Sequence, residues 1–162
     1  MPELSRRVQT FTDSVIRRMT RINNMKPGSI NLSQGFPDFD PPQEILDALK
    51  EAAEHGPHQY SITFGAKNFR DALAEMYTKK FAREIDPEKE IVVTCGGTEA
   101  MMAAMMTVCN PGDKVAVFSP FYENYGADAI LSGADPVYVP LVPPDFHYDS
   151  EALERAFQAG AK

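Results

Sequence analysis

The chain has 162 residues, of which 43% are hydrophobic and 24% are charged, close to the averages of globular proteins. These values exclude a disordered polar tract and a disulfide-dense mini-protein. The net charge of −7 argues against a nucleic-acid-binding surface and against a polybasic membrane patch. The longest apolar stretch, residues 100–109, is too short to cross a bilayer, so we expect neither a nucleic-acid nor a membrane partner.

The two cysteines and three histidines indicate no special chemistry. Cys95 and Cys109 form no CxxC motif, which favours two buried thiols in a reducing compartment. His55, His58 and His147 lack the spacing of zinc ligands, so we expect no metal site. Because the N-terminus also has no apolar leader, the sequence predicts a cytoplasmic location.

The N-terminal third alternates helical patterns with loops. Apolar residues from Leu4 to Met19 recur about once per turn and predict a first helix, whose arginines form a solvated face. Residues 30–42 contain one glycine and three prolines and predict a loop. Pro41 and Pro42 can open a second helix, which Gly56 and Pro57 would end.

The remainder predicts an α/β fold. After an irregular stretch at 59–66, a helix presents apolar residues from Phe69 to Phe81. From residue 91 onward, strands and helices alternate. Strands are predicted at 91–94, 114–118 and 136–139, and helices at 99–108, 122–131 and from Asp149 or Ser150 toward Ala159. This alternation is typical of a parallel sheet flanked by helices.

Two strand ends could bind a ligand, since ligands of open parallel sheets lie beyond the carboxyl ends of the strands. At the first end, Gly96 and Gly97 would let the backbone approach a ligand closely. The following helix start would offer N–H groups, and Thr98 a hydroxyl, which together suit a phosphate. The alternative is an ordinary glycine turn with Thr98 as helix cap.

At the second strand end, residues 119–125 carry three aromatic side chains, Phe121, Tyr122 and Tyr125. An aromatic ring in this place can stack on a planar ligand. The alternative, equally supported by spacing alone, is that the rings pack a helix against the sheet.

Five segments in this order resemble the class I/II aminotransferases that use pyridoxal phosphate. They are Asn31–Asp38 (NLSQGFPD), Tyr60–Gly65 (YSITFG) followed by Phe69–Leu73 (FRDAL), Val93–Ala100 (VTCGGTEA), Asn110–Asp113 (NPGD) and Ser119–Tyr122 (SPFY). Each is weak alone, and the set is specific. The first two are most similar to the kynurenine and methionine aminotransferase branch.

The resemblance implies a role for each matching residue. Gly96, Gly97 and Thr98 match the loop that holds the phosphate of the cofactor, pyridoxal 5'-phosphate. Tyr122 matches the aromatic residue that stacks on its pyridine ring, and Gly35 a glycine beside the substrate carboxylate. Tyr60 matches a tyrosine that reaches the cofactor of the neighbouring subunit, so the resemblance also implies a homodimer.

The same resemblance implies an α/β fold of fold type I, a three-layer sandwich with a mostly parallel sheet flanked by helices. Residues 1–40 would form the N-terminal arm and a small-domain segment, and residues 41–162 the first part of the large cofactor-binding domain. The strands at 91–94 and 114–118 would not be neighbours in this sheet.

The implied activity is transfer of an amino group between an amino acid and a 2-oxo acid, a step of amino acid metabolism. The lysine that forms a Schiff base with the cofactor matches a position beyond Lys162, so no catalytic residue is expected in this chain. We therefore expect the isolated chain to be inactive and not to form a stable monomer. The alternatives are a carbon–sulfur β-lyase of the same fold and a non-catalytic fragment.

Overall fold

The computed structural model describes residues 3–11 and 13–162, which divide into two compact units. The first unit comprises Met1–Asn31 and Cys95–Lys162, and the second Leu32–Thr94. In chain order the elements are a 3₁₀ helix at Arg6–Gln9, then α1 (Val15–Asn24), α2 (Gln43–His55), α3 (Lys67–Phe81), α4 (Gly96–Val108), β1 (Lys114–Ser119), α5 (Asn124–Ser132), β2 (Asp135–Val142), β3 (His147–Tyr148) and α6 (Ser150–Gln158).

The first unit is built on a small sheet with the order β1-β2-β3. β1 and β2 run parallel, with Lys114 opposite Asp135 at one end and Ser119 opposite Pro140 at the other. β3 is an antiparallel addition of two residues, which the sequence did not predict. The core packs one face of this sheet against α5 and consists of Cys109, Val115, Val117, Ala129 and Ala134, with Met105 beside it.

Three helix ends of the first unit have recognisable capping residues. The Ser14 hydroxyl accepts the N–H of Arg17 at the start of α1, and Asp149 accepts the N–H of Glu151 at the start of α6. α5 ends at Gly133 with a φ of +89°, a left-handed conformation typical of glycine caps.

One acidic side chain of α5 is buried. Asp128 is 5% exposed, and its Oδ2 has no hydrogen-bond partner among the described residues. Burial therefore raises the pKa of the Asp128 carboxyl, because the charged form loses solvation.

Two predicted elements of secondary structure were wrong. The first helix is not continuous, since the short 3₁₀ helix and α1 are separate elements, and one predicted position, Thr12, lies outside the described residues. Residues 91–94 form no strand, because no described strand lies beside them to complete a ladder. The N–H of Val93 instead donates to the carbonyl of Phe64, 3.0 Å away.

The second unit contains α2 and α3. Pro42 is the N-cap of α2, and Gly56 ends it with a φ of +75°, so both predicted boundaries are confirmed. α3 ends at Ala82, in a left-handed conformation, directly after the last predicted apolar position, Phe81.

Helix α4 is apolar on nearly all of its surface, yet no residue of it is buried. Met106 and Val108 are 63% and 59% exposed. A helix that is apolar all round normally lies inside a protein, so this helix has a surface suited to being covered. None of the helices that the structure describes is long and apolar enough to span a membrane.

Candidate functional site

The start of α4 has the open backbone that its glycines predict. Gly96 has a φ of +78°, which residues with a side chain rarely adopt. A Cβ built on Gly96 or Gly97 would have no atom within 4 Å. The backbone at this helix start is therefore open to a ligand from the side where side chains would otherwise stand.

The Thr98 hydroxyl in the first turn has a partner from another helix. The side-chain amide of Asn124 donates to it, with 2.8 Å between Nδ2 and Oγ1. Cys95, the N-cap, makes no side-chain capping bond, and its N–H donates to the carboxylate of Glu99. The N–H groups of Gly97 and Thr98 have no carbonyl upstream within the helix, so they suit an anionic ligand.

Tyr122 follows β1 and is 54% exposed. Its ring touches that of Tyr125 edge to face, with centroids 5.9 Å apart and an interplanar angle of 68°. Phe121 behaves differently, since it stacks on Tyr138 with centroids 5.2 Å apart and planes 6° from parallel. Of these neighbours, Phe121 fits the packing interpretation, whereas Tyr122 has a ring available to a ligand.

Gly35 and Tyr60 lie in the second unit. Tyr60 is fully exposed, and a Cβ on Gly35 would meet nothing within 4 Å.

Within the first unit, the Asn124–Thr98 hydrogen bond ties the glycine loop to the start of α5, two residues after Tyr122. The structure thus brings together Gly96, Gly97, Thr98 and the segment that carries Tyr122.

Sequence reasoning missed Asn124 and Glu99, which both belong to the hydrogen bonds of the helix start. A polar residue just after a strand end was the available signal for Asn124.

The prediction of two buried thiols was wrong for Cys95, which is exposed at the N-cap, whereas Cys109 is buried. The described residues contain no cluster of three or more His, Cys, Asp or Glu that could hold a metal ion.

Comparison with known proteins connects this geometry to a family. The family model for aminotransferase class I and II matches residues 27–162. The probable N-succinyldiaminopimelate aminotransferase DapC of Mycobacterium tuberculosis is 38% identical over 152 residues, covering 93% of this chain and 38% of that protein. Kynurenine–oxoglutarate transaminase 3 of Mus musculus is 31% identical over 169 residues, covering 98% of this chain and 37% of that protein.

Solved structures agree with these sequence matches. YbdL from Escherichia coli, for which a methionine aminotransferase function has been identified, superposes with a TM-score of 0.90 at 29% identity and covers 100% of this chain and 42% of that chain. The chain thus spans about 38% of the length of the curated relatives it matches. The predicted α/β fold of fold type I is confirmed by the structural match. The chain belongs to the aminotransferase class I and II family.

Proposed function

We propose that this chain supplies the phosphate-binding part of a pyridoxal-phosphate-dependent aminotransferase, which exchanges an amino group between an amino acid and a 2-oxo acid. The main support is the start of α4, where Gly96 and Gly97 leave the backbone open and the adjacent Thr98 hydroxyl is hydrogen-bonded. Family membership supports the same reaction class.

The residues present fit the cofactor's phosphate. The open space at Gly96 and Gly97 admits phosphate oxygens close to the backbone, and the helix start favours their negative charge. Because Thr98 Oγ1 accepts from Asn124, its own O–H is left to donate to such an oxygen. The exposed ring of Tyr122 is the stacking surface for the pyridine ring.

Two residues of the second unit complete the proposal. Fully exposed Tyr60 would reach the cofactor phosphate of a second subunit, and Gly35 would lie beside the substrate carboxylate. The proposed assembly is therefore a homodimer with sites shared across its interface. When bound, pyridoxal phosphate supplies the electron sink for bond cleavage at the amino acid, while this chain binds and orients the cofactor.

In this proposal residues 1–40 belong to a small-domain segment and residues 41–162 to the first part of the large cofactor-binding domain. We also propose that the protein is cytoplasmic. The free state of Cys95 and Cys109 supports a reducing compartment.

The test compares two threonines of the same helix in the protein that carries this chain. Thr98→Val removes the hydroxyl at the helix start, and Thr107→Val removes one that donates to the Ala103 carbonyl near the other end. Cofactor retention is measured by absorbance after dialysis, and amino transfer with a panel of amino acids and 2-oxo acids.

We expect wild type and Thr107→Val to retain the cofactor and transfer amino groups, and Thr98→Val to lose the cofactor about tenfold more readily. Equal retention in the two variants would remove Thr98 from the site. Release of thiol and ammonia without amino transfer would assign the protein to the β-lyases instead.

A further inference from the structure

A single arginine of the second unit is completely buried. The Arg70 side chain lies in the first turns of α3 and has no exposed surface. Its charge partner, the carboxylate of Glu88, remains 55% exposed. An arginine is rarely placed out of reach of water, because removing its charge from solvent is costly. Such a residue therefore calls for a specific role.

The N–H groups of the Arg70 guanidinium donate hydrogen bonds to two separate loops. Nε donates to the carbonyl of Gly65 at 3.0 Å, on the segment that precedes α3. Nη1 donates to the carbonyl of Pro87, and Nη2 lies 3.2 Å from a carboxylate oxygen of Glu88. The side chain thus fastens the end of the irregular stretch 59–66 to the turn that follows α3.

The segment held in this way is a tight turn. The N–H of Gly65 donates to the carbonyl of Ile62 at 2.9 Å, and the carbonyl of Phe64 accepts the N–H of Val93. Tyr60 stands two residues before this turn and is fully exposed. A fully exposed side chain is placed by its own backbone, and the backbone that follows Tyr60 leads directly into the turn that Arg70 anchors at Gly65.

We propose that Arg70 is a positioning residue for Tyr60, holding the turn Ile62–Gly65 so that the tyrosine hydroxyl meets the phosphate of the neighbouring subunit's cofactor. This inference rests on the proposed function. A lysine could not replace Arg70, since one ammonium cannot reach all three acceptors in the fork geometry of a guanidinium.

The first experiment measures backbone hydrogen exchange in the cofactor-free protein that carries this chain. Arg70→Lys should speed exchange at Gly65 and Val93 by about tenfold or more, because their hydrogen bonds belong to the anchored turn. Arg83→Lys is the matched control, since Arg83 pairs with Glu90 on the surface of the same unit. Unchanged exchange in folded Arg70→Lys would overturn the proposal.

The second experiment is a double-mutant cycle on cofactor affinity. Arg70→Lys and Tyr60→Phe should each weaken retention of pyridoxal phosphate, and the double variant should be no weaker than the weaker single variant. Additive losses would mean that Arg70 acts apart from Tyr60, and would overturn the proposal. Should Arg70→Lys fail to fold, Glu88→Gln in place of Arg70→Lys tests the same coupling more gently.

The cycle also separates this inference from the proposed function. If wild type does not bind pyridoxal phosphate, both fail together. If wild type binds it and only the coupling is missing, the aminotransferase proposal stands and the role of Arg70 falls.

Discussion

The side-chain amide of Asn124 donates a hydrogen bond to the hydroxyl of Thr98, with 2.8 Å between the two atoms. Asn124 is the first residue of α5, and Thr98 lies in the first turn of α4. The bond therefore joins α4, which begins at the glycine loop, to α5, which begins just after Tyr122. In this bond the Thr98 oxygen is the acceptor. The proton of that hydroxyl is then left to donate to another acceptor, which is a phosphate oxygen in the function proposed above.

Asn124→Ala should weaken cofactor retention, because the Thr98 hydroxyl would lose the donor that orients it. Loss of one neutral hydrogen bond corresponds to about 1 kcal/mol, or roughly fivefold in affinity. The measurement is cofactor release followed by absorbance. Gln158→Ala, which removes a side-chain pair with Glu154 on α6, is the control. Equal retention in both variants would contradict the assignment.

Tyr122→Leu should weaken retention of pyridoxal phosphate by up to about tenfold, the value of one stacked aromatic ring beyond its buried area. Tyr148→Leu is matched in exposure, since both tyrosines are 54% exposed. Fluorescence titration with the cofactor measures both. If Tyr122→Leu binds as tightly as Tyr148→Leu, the Tyr122 ring serves packing and not stacking.

A shared site predicts complementation between subunits. A heterodimer with Tyr60→Phe in one subunit and Thr98→Val in the other would hold one site with both changes and one with neither. Purified through two different tags, it should regain about half of the wild-type activity, whereas each homodimer stays low. If Tyr60 served its own subunit, both sites of the heterodimer would carry one change and activity would stay low.

Gly65→Ala should destabilise the protein by roughly 1–3 kcal/mol, the range of a strained backbone conformation. Gly65 has a φ of +102°, and a Cβ there would stand 2.6 Å from side-chain atoms of Val93. Gly35→Ala is the control, because it meets nothing within 4 Å. Thermal unfolding compares the two variants. A midpoint for Gly65→Ala equal to that of Gly35→Ala would mean that the turn rearranges freely.

The buried carboxyl of Asp128 predicts a pH-dependent stability. Its raised pKa means that the native state holds this proton to a higher pH than the unfolded chain does. Stability is therefore lost as the pH rises from about 3.9, the ordinary value, through the raised one.

Asp128→Ala should remove that loss. Relative to wild type, its thermal midpoint should gain most near pH 7, and the gain should shrink as the pH falls toward 4. Asp47→Ala is the control, because Asp47 is an exposed residue of α2 that accepts a hydrogen bond from the neutral side-chain amide of Gln43. A gain for Asp128→Ala that is constant across this range would show that helix propensity, not the charge, explains the effect.

Much of the local structure was predictable because its signals are local. Pro42, Gly56 and Asp149 act on their own helix ends, and β1 and β2 follow from short apolar runs. The segment 91–94 has the same apolar pattern as a strand, but a strand also needs a neighbour. Pairing depends on residues distant in sequence, which no local pattern contains.

Only part of the candidate site was predictable from the sequence, because only that part consists of residues that are neighbours in the chain. Gly96, Gly97 and Thr98 form one consecutive motif, so their chemistry is visible in the sequence. The partner of Thr98 is Asn124, 26 residues later, and only the fold brings them together. Arg70 lies within a recognised motif. Its burial and its hydrogen bonds to two loops could not be deduced, however, from a charged residue at a helical position.

The buried position of Arg70 has a consequence for ionic strength. Salt screens exposed charges over a Debye length that falls from about 8 Å at physiological ionic strength to about 3 Å at 1 M, but it acts far less on a buried cation held by carbonyl oxygens. On α3, the exposed pairs Lys67–Asp71 and Lys79–Glu75 will be screened, whereas the guanidinium keeps its acceptors. High salt should therefore loosen the surface of this helix while leaving the turn before it, and the tyrosine ahead of that turn, in place.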